Sequence, residues 1–131
     1  MVVDSSALVA MILGEDERLI FTDLILHEPS VVMSVVSVME ITITLLARRR
    51  EPDAARLDET LATFAIEVLG VDVHQGILAR EAFTQFGRGR HPAALNFGDC
   101  FAYALAKARE EPLLFKGQDF LKTDIVPAWR P

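Results

Sequence analysis

Met1-Val2-Val3-Asp4-Ser5-Ser6-Ala7-Leu8-Val9-Ala10-Met11-Ile12-Leu13-Gly14 opens the chain and predicts its fold class. Val2–Asp4 has the pattern of a short buried strand, and Ser5–Leu13 that of a helix ending at Gly14. A short apolar strand followed by a helix recurs along the rest of the sequence. This alternation is typical of an α/β protein whose parallel sheet is covered by helices on both faces.

The later segments repeat the pattern with different lengths. Apolar runs predict strands at Val31–Met33, Ile66–Val71, Leu113–Phe115 and Ile125–Val126. Periodic segments predict helices at Glu15–His27, from Ser34 or Ser37 to Arg48, at Asp53–Ala65, Asp72–Phe86 and Asn96–Arg109. The segment that ends at Arg48 is rich in β-branched residues, which favour strands. It is too long and too uniformly apolar for one ordinary strand, so we interpret it as a helix.

Length and composition indicate one globular domain over residues 1–131. The chain is 51% hydrophobic and 24% charged, and it contains no repeat, low-complexity stretch or long linker. Its one cysteine, Cys100, excludes an internal disulfide and fits a reducing compartment. We expect Cys100 to be a packed thiol of the core rather than a nucleophile.

Residues 31–47 come nearest to the length of a membrane span. Glu40 lies in the middle of this segment, and a carboxylate at mid-bilayer is costly, so a buried core segment is the better interpretation. Asp4 interrupts the first apolar stretch and no basic segment precedes it, so no signal peptide is expected. These features predict a cytoplasmic protein that makes no membrane contact.

Four acidic residues occupy positions where a carboxylate needs a partner: Asp4, Glu40, Asp99 and Asp119. Glu40 is the only charge in the apolar segment 31–47, and Asp4 and Asp119 each follow a predicted strand. Because the carboxyl ends of parallel strands share one rim, these acids can meet there. A buried carboxylate requires a cation or hydrogen-bond donors. Gathered together, the four would form an oxygen-rich site for Mg²⁺ or Mn²⁺.

Each acid also has a purely structural interpretation. Asp4 can cap the helix that follows it, and Ser37–Glu40 matches a capping box that would start the third helix late. Asn96 caps well, and Asp99 at the third helical position suits the helix dipole. Turn formation is an adequate explanation for Asp119.

The segment leading to Asp99 contains two further signals. Arg88, Arg90 and His91 lie in the predicted loop 88–95, where they are placed to hold substrate phosphates. Gly98 lies in the first turn of a helix, where glycine lowers helix stability. Its presence suggests that another group approaches the backbone closely at this point.

The net charge of −6 argues at first against a nucleic-acid substrate. Two bound divalent ions would bring the formal charge to −2 and would concentrate positive potential where a scissile phosphate lies. Net charge therefore does not exclude a nucleic acid.

Taken together, these motifs resemble those of the PIN-domain ribonucleases, and specifically the VapC-type toxins of bacterial toxin–antitoxin pairs. The resemblance covers essentially the full length. It rests on Val3-Asp4-Ser5-Ser6-Ala7-Leu8, on Ser34 through Met39-Glu40, on residues 86–104 including Asn96-Phe97-Gly98-Asp99-Cys100, and on Pro112-Leu113-Leu114-Phe115-Lys116-Gly117-Gln118-Asp119-Phe120 with Thr123-Asp124-Ile125.

The resemblance implies a three-layer α/β/α fold and a Mg²⁺- or Mn²⁺-dependent endoribonuclease that cuts RNA. Its acidic quartet carries over to Asp4, Glu40, Asp99 and Asp119, with Asp4 and Asp99 as the main metal ligands. It also implies a homodimer and a cognate antitoxin whose C-terminal segment blocks the site. Family members often have a second acid directly before Asp119, where this chain has Gln118.

The mechanism expected on this basis is hydrolysis of a phosphodiester bond by metal-activated water. An aspartyl-phosphate phosphatase or receiver-type phospho-acceptor is the enzymatic alternative, because Lys116 follows a strand. The chain lacks the second Asp that a phosphatase needs two residues after Asp4, because Ser6 stands there. It also lacks the adjacent acids that a receiver needs at the end of the first strand. A catalytically inactive PIN-like binding module is the other alternative, and the intact quartet argues against it.

Overall fold

The computed structural model describes residues 1–130. Its strands are β1 (Val2–Val3), β2 (Val31–Ser34), β3 (Ile66–Leu69) and β4 (Leu113–Leu114). Its helices are α1 (Ser5–Leu13), α2 (Arg18–His27), α3 (Val35–Ala47), α4 (Glu51–Ala55), α5 (Leu57–Thr63), α6 (Val73–Phe86) and α7 (Phe97–Arg109), followed by a 3-10 helix at Phe120–Lys122.

The four strands form one parallel sheet in the order β3-β2-β1-β4. Val2 of β1 lies opposite Val32 on one side and Leu113 on the other. The chain proceeds outward from β1 through β2 to β3, and then returns to the far side of β1 to form β4. The order therefore reverses between β1 and β4, and ligand sites of open α/β sheets form outside the carboxyl ends of the strands at such a reversal.

Alternating side chains of the sheet divide the core into two layers. Val3 and Met33 face a cluster that includes Phe21 of α2 and Ile41 of α3. Side chains of the opposite face join a cluster built on α6 and α7, with contributions from Val2, Val32, Phe86, Leu105 and Leu113. The predicted α/β/α arrangement of three layers is thus confirmed.

Helix α3 begins at Val35, immediately after the last residue of strand β2. Ser34 caps it, because the Ser34 Oγ accepts a hydrogen bond from the Val36 N–H at 3.3 Å. The alternative start within Ser37–Glu40 is therefore wrong. The apolar segment is a buried strand followed by a half-buried helix, and no helix in residues 1–130 is long and apolar enough to cross a membrane.

The second helix begins later than predicted, at Arg18 instead of Glu15. The Glu15 N–H donates to the Ala10 carbonyl at 2.9 Å, so Glu15 closes α1 and does not open α2. Lys116 also pairs with the side chains of both Glu15 and Glu17, which holds this turn against the strand β4 side of the fold. A contact between distant parts of the chain thus sets the helix boundary.

The helix predicted at Asp53–Ala65 is two helices, α4 and α5, which meet at Arg56. The break directs Leu57 and Leu61 into the core, where both are buried, whereas no residue of α4 is. Burial of these two leucines outweighs the weak tendency of a short exposed segment to continue as one helix.

The strand predicted at Ile125–Val126 is also wrong, because this segment makes only a single bridge, between Pro127 and strand β4. Side chains attach the neighbouring Asp124 to α7 as well. Asp124 accepts hydrogen bonds from the Tyr103 hydroxyl at 2.8 Å and from the Lys107 ammonium at 2.9 Å. Asp124 therefore ties the C-terminal segment to α7.

Candidate active site

A cleft of about 420 Å³ lies at the carboxyl ends of β1 and β4, where the strand order reverses. All four predicted acidic residues line it, although they come from four separate parts of the chain. The other lining residues are mostly polar: Ser5, Ser6, Val9, Glu15, Thr44, Arg48, Arg88, Asn96, Lys116 and Phe120.

Asp4 lies at the floor of the cleft and is only 1% exposed. Its Oδ2 caps α1 by accepting hydrogen bonds from the Ser6 N–H at 3.0 Å and from the Ser6 hydroxyl. That hydroxyl in turn accepts from the Lys116 N–H at 3.0 Å, which links the ends of β1 and β4. The other oxygen, Oδ1, is buried without a hydrogen-bond partner among residues 1–130. Burial raises the pKa of Asp4 above its usual value.

Asp99 takes part in the N-terminal capping of α7 and also lines the cleft. Its Oδ2 accepts from the Asn96 N–H at 2.8 Å, while the Asn96 Oδ1 accepts from the Asp99 N–H at 2.9 Å, which completes a capping box. Burial and the nearby Asp4 charge raise the pKa of Asp99 to about 6, against the opposing effect of Arg88.

Glu40 reaches the cleft from the middle of α3. Its Oε2 accepts a hydrogen bond from the Ser5 hydroxyl at 3.2 Å. Burial, followed by the charges of Asp4 and Asp99, raises its pKa to about 7. A Cβ built onto Gly98 would overlap the carboxyl group of Glu40. The close approach that the sequence suggested at Gly98 is confirmed, and the approaching group is this carboxylate.

Asp119 differs from the other three acids because it is exposed at the rim. It directly precedes the 3-10 helix but makes no capping hydrogen bond with its side chain. Its charge contributes to the raised pKa of Asp99, which places it within electrostatic reach of the quartet. Gln118 is also exposed, and it is not one of the residues that line the cleft.

The two predicted substrate-binding arginines are placed differently. Arg88 lines the cleft near Asp99. The Nε of Arg90 instead donates to the Thr84 carbonyl at 3.1 Å, and Arg90 is not part of the cleft lining. The involvement of either residue in substrate binding stays a prediction.

Three charged residues of the cleft were missed as parts of the site: Arg48, Lys116 and Glu15. Lys116 pairs with Glu15 and also with Glu17 at 2.9 Å, and Arg48 lies 3.8 Å from Glu15. The position of Arg48 near the cleft could have been inferred from the sequence, because it lies eight residues after Glu40 and therefore near the same face of the helix. Glu15 and Lys116 meet across a hundred residues of sequence, and no local pattern indicates that.

The site has more negative charge than its own cations neutralise. Within residues 1–130, no Lys, Arg or His forms a salt bridge with any of the four acids, and two cations of the cleft, Arg48 and Lys116, pair with Glu15 and Glu17 instead. The unpartnered Oδ1 of Asp4 and the raised pKa values show an unmet need for positive charge. An all-oxygen donor set of this kind fits a hard divalent cation.

The same described part of the chain contains no preassembled group of three or more His, Cys, Asp or Glu side chains able to hold a metal ion. Mutual repulsion keeps carboxylates apart when nothing neutralises them. Binding of a cation therefore requires these side chains to move towards one another.

Cys100 lies beside Asp99 but takes no part in the cleft. It is a free, buried cysteine, as predicted. Burial and the neighbouring Asp99 charge raise the pKa of its thiol to about 11, so the nucleophilic thiolate is not available near neutral pH.

Known proteins share both the sequence and the fold. The PIN-domain family profile matches residues 1–126. Ribonuclease VapC30 of Mycobacterium tuberculosis is 42% identical over 131 residues, which is the whole of both chains. Ribonuclease VapC of Mycolicibacterium smegmatis is 42% identical over 126 residues, covering 96% of this chain and 98% of its own.

A solved structure shows the same fold at lower identity. The crystal structure of Mycobacterium tuberculosis VapC20, a toxin that cleaves the sarcin–ricin loop, superposes with a TM-score of 0.75 at 21% identity and covers 99% of this chain and 98% of its own. The full-length identity to ribonucleases named VapC, together with the family match and the shared fold, shows that this chain belongs to the PIN-domain family, among its VapC proteins.

Proposed function

We propose that this chain is a Mg²⁺-dependent endoribonuclease and the toxin of a toxin–antitoxin pair, with residues 1–131 acting as one PIN domain in the cytoplasm. One observation carries the proposal: four acids from distant segments meet in one cleft around a buried carboxylate oxygen that has no partner. The names of the relatives that are 42% identical support RNA as the substrate. Mn²⁺ would suit the same oxygen donors.

Asp4 and Asp99 are the residues that hold the cation. Each has one carboxylate oxygen held by a helix-cap hydrogen bond, so both groups are kept at the cleft before any ligand binds, and side-chain movement then gathers the acids around the cation. When bound, a divalent cation supplies positive charge to the attacking water and to the scissile phosphate.

Glu40 accepts a proton during the reaction. A pKa of about 7 lets its carboxylate take and release a proton near neutral pH, which suits a general base. The Ser5 hydroxyl orients it. Asp119, exposed at the rim, completes the acidic shell from the β4 side.

The basic residues bind the phosphates of the RNA backbone on either side of the cut. Arg88 and Arg48 line the cleft and are the first candidates, and Arg90 is an exposed cation two residues after Arg88. Lys116 serves RNA binding only where a phosphate displaces Glu15 or Glu17 from it. This engagement also argues against the phosphatase alternative, which needs the lysine free to act on a phosphoryl group.

A cognate antitoxin covers the face of α3 that neighbours the cleft. The buried face of α3 is separate, and the apolar side chains left exposed on α3 recur at helical spacing: Val35, Met39, Ile43 and Leu46. Three more are exposed on α2: Leu19, Ile20 and Leu26. Apolar residues in this number favour a protein partner, and an arginine from that partner would pair with the acids of the cleft.

The chain also forms a homodimer in this proposal. Support comes from a second set of exposed apolar side chains on α6 and α7, which includes Val73, Phe83 and Phe97. Phe97 is 73% exposed at the first position of α7. Exposed aromatic residues of this kind are enriched at protein interfaces.

The ribonuclease proposal predicts that Asp99→Asn and Asp4→Asn each abolish Mg²⁺-dependent cleavage, because loss of one carboxylate charge weakens cation binding. Both variants should stay folded, since the amide relieves repulsion and retains an oxygen. Incubation of the protein with a mixed RNA pool, with Mg²⁺ or with EDTA, and mapping of the cut ends measures the activity. Cleavage by either variant at the wild-type rate would remove that residue from the metal site.

Stability without metal should depend on pH in a direction set by Glu40 and Asp99. Their folded pKa values of about 7 and about 6 exceed the usual values of 4.5 and 3.8. The folded state therefore binds more protons than the unfolded chain in this interval. In EDTA, Tm should fall as pH rises from about 4.5 to about 7.5. Glu40→Gln should flatten this decline, and saturating Mg²⁺ should oppose it by neutralising the acids. A Tm that rises over the interval contradicts the repulsion argument.

Arg88→Ala should weaken substrate binding more than Arg90→Ala, because only Arg88 lines the cleft. We expect a higher KM with little change in kcat, and a shallower dependence of KM on salt concentration because one phosphate contact is lost. Steady-state cleavage of a short RNA at several salt concentrations measures both quantities, with Arg90→Ala as the matched comparison. A loss confined to kcat would assign Arg88 to the chemical step.

Expression of the wild-type chain alone should arrest growth, and coexpression of the antitoxin encoded beside it should restore growth. Ile43→Glu should prevent this rescue without loss of RNA cleavage, because it places a charge in the exposed apolar face of α3. Val126→Glu is the control, since Val126 is similarly exposed but lies in the C-terminal segment. Full rescue of the Ile43→Glu variant would move the antitoxin to another surface.

A further inference from the structure

Helices α3 and α7 meet at the point where Glu40 passes over the first turn of α7. We propose that Gly98 is a positioning residue for Glu40: the missing side chain at Gly98 provides the space that lets the Glu40 carboxylate lie beside Asp99. The catalytic part of this inference rests on the proposed ribonuclease function, whereas its geometric part does not.

Gly98 is required for space and not for backbone conformation. It is the second residue of α7, and it is buried between the exposed Phe97 and the half-buried Asp99. Its φ is not in the left-handed region, so alanine could adopt the same backbone. The atoms that a Cβ would meet are the Cδ and both carboxylate oxygens of Glu40.

The place of Glu40 depends on this space because little else holds its carboxylate. One hydrogen bond, from the Ser5 hydroxyl at 3.2 Å, is its only side-chain contact of that kind in residues 1–130. The like charges of Asp4 and Asp99 lie near it and favour its movement outward. Glu40 is already partly exposed, so a methyl group at Gly98 would displace it towards solvent.

Replacement of Gly98 by alanine should therefore affect the stability of the protein and the geometry of the site in different ways. Alanine is a better helix former than glycine, so Gly98→Ala should not weaken α7 itself. The same change moves a carboxylate out of the acidic quartet. A merely structural glycine would behave differently, because its replacement would lower stability and activity together.

A double-mutant cycle of Gly98→Ala and Glu40→Ala tests the proposal, with two readouts. One is kcat/KM for RNA cleavage with Mg²⁺, and the other is the rise in Tm that Mg²⁺ produces, which needs no turnover. In the wild-type background, Gly98→Ala should lower kcat/KM by about 100-fold, as misplacement of a reacting group does. It should also reduce the Mg²⁺-induced rise in Tm and leave the metal-free Tm unlowered. In the Glu40→Ala background it should change neither readout by more than about twofold.

Equal losses in both backgrounds would overturn the proposal, and so would wild-type activity and a wild-type response to Mg²⁺ in Gly98→Ala. If Gly98→Ala fails to fold alone but folds together with Glu40→Ala, the steric conflict is demonstrated and the proposal stands. Failure to fold in both backgrounds overturns it. If the wild-type protein cleaves no RNA, the proposed function fails by itself. The cycle is then decided by urea unfolding, where non-additive effects support positioning and additive effects refute it.

Discussion

The buried charge of Asp4 is the constraint around which the cleft is built. A carboxylate at the end of the central strand, almost fully removed from water, requires compensation that the protein itself provides on one side only. Ser6 satisfies one oxygen, and through its hydroxyl joins the ends of β1 and β4. Glu40 of α3 and Asp99 of α7 add negative charge instead of neutralising it, and burial together with this repulsion raises the pKa of both. The folded protein therefore holds uncompensated negative charge in the cleft, which a bound cation would neutralise.

Much of this arrangement was predictable because strand ends and helix caps have local signatures. Asp4 and Asp119 follow apolar runs, so a parallel sheet must bring them to one rim. For Asp99, a helix cap and a cleft position are compatible, because the side chain that takes part in the capping box of α7 also lines the cleft. Gly98 was informative for a different reason, since a glycine that weakens its own helix indicates a neighbour that needs the space.

The parts that sequence reasoning missed depend on contacts between distant segments. The start of α2 at Arg18 reflects the pairing of Lys116 with Glu15 and Glu17, which no window of local sequence contains. The break at Arg56 follows from burial of leucines on α5. The segment after Asp124 makes only one bridge to β4, while Asp124 itself bonds to α7. In each case tertiary packing overrode a weak local preference.

The helix caps have a consequence for ion selectivity. Each of the two main candidate ligands already uses its Oδ2 to accept backbone N–H groups, Asp4 from Ser6 and Asp99 from Asn96. A cation in the cleft would therefore meet one oxygen free of hydrogen bonds from each of these two carboxylates. Mg²⁺ is satisfied by one or two such carboxylates because it keeps several waters in its octahedral shell. Ca²⁺ gathers six to eight oxygens and is at a disadvantage in such a site. In the proposed metal site, the hydrogen bonds that begin two helices would thus favour Mg²⁺ over Ca²⁺.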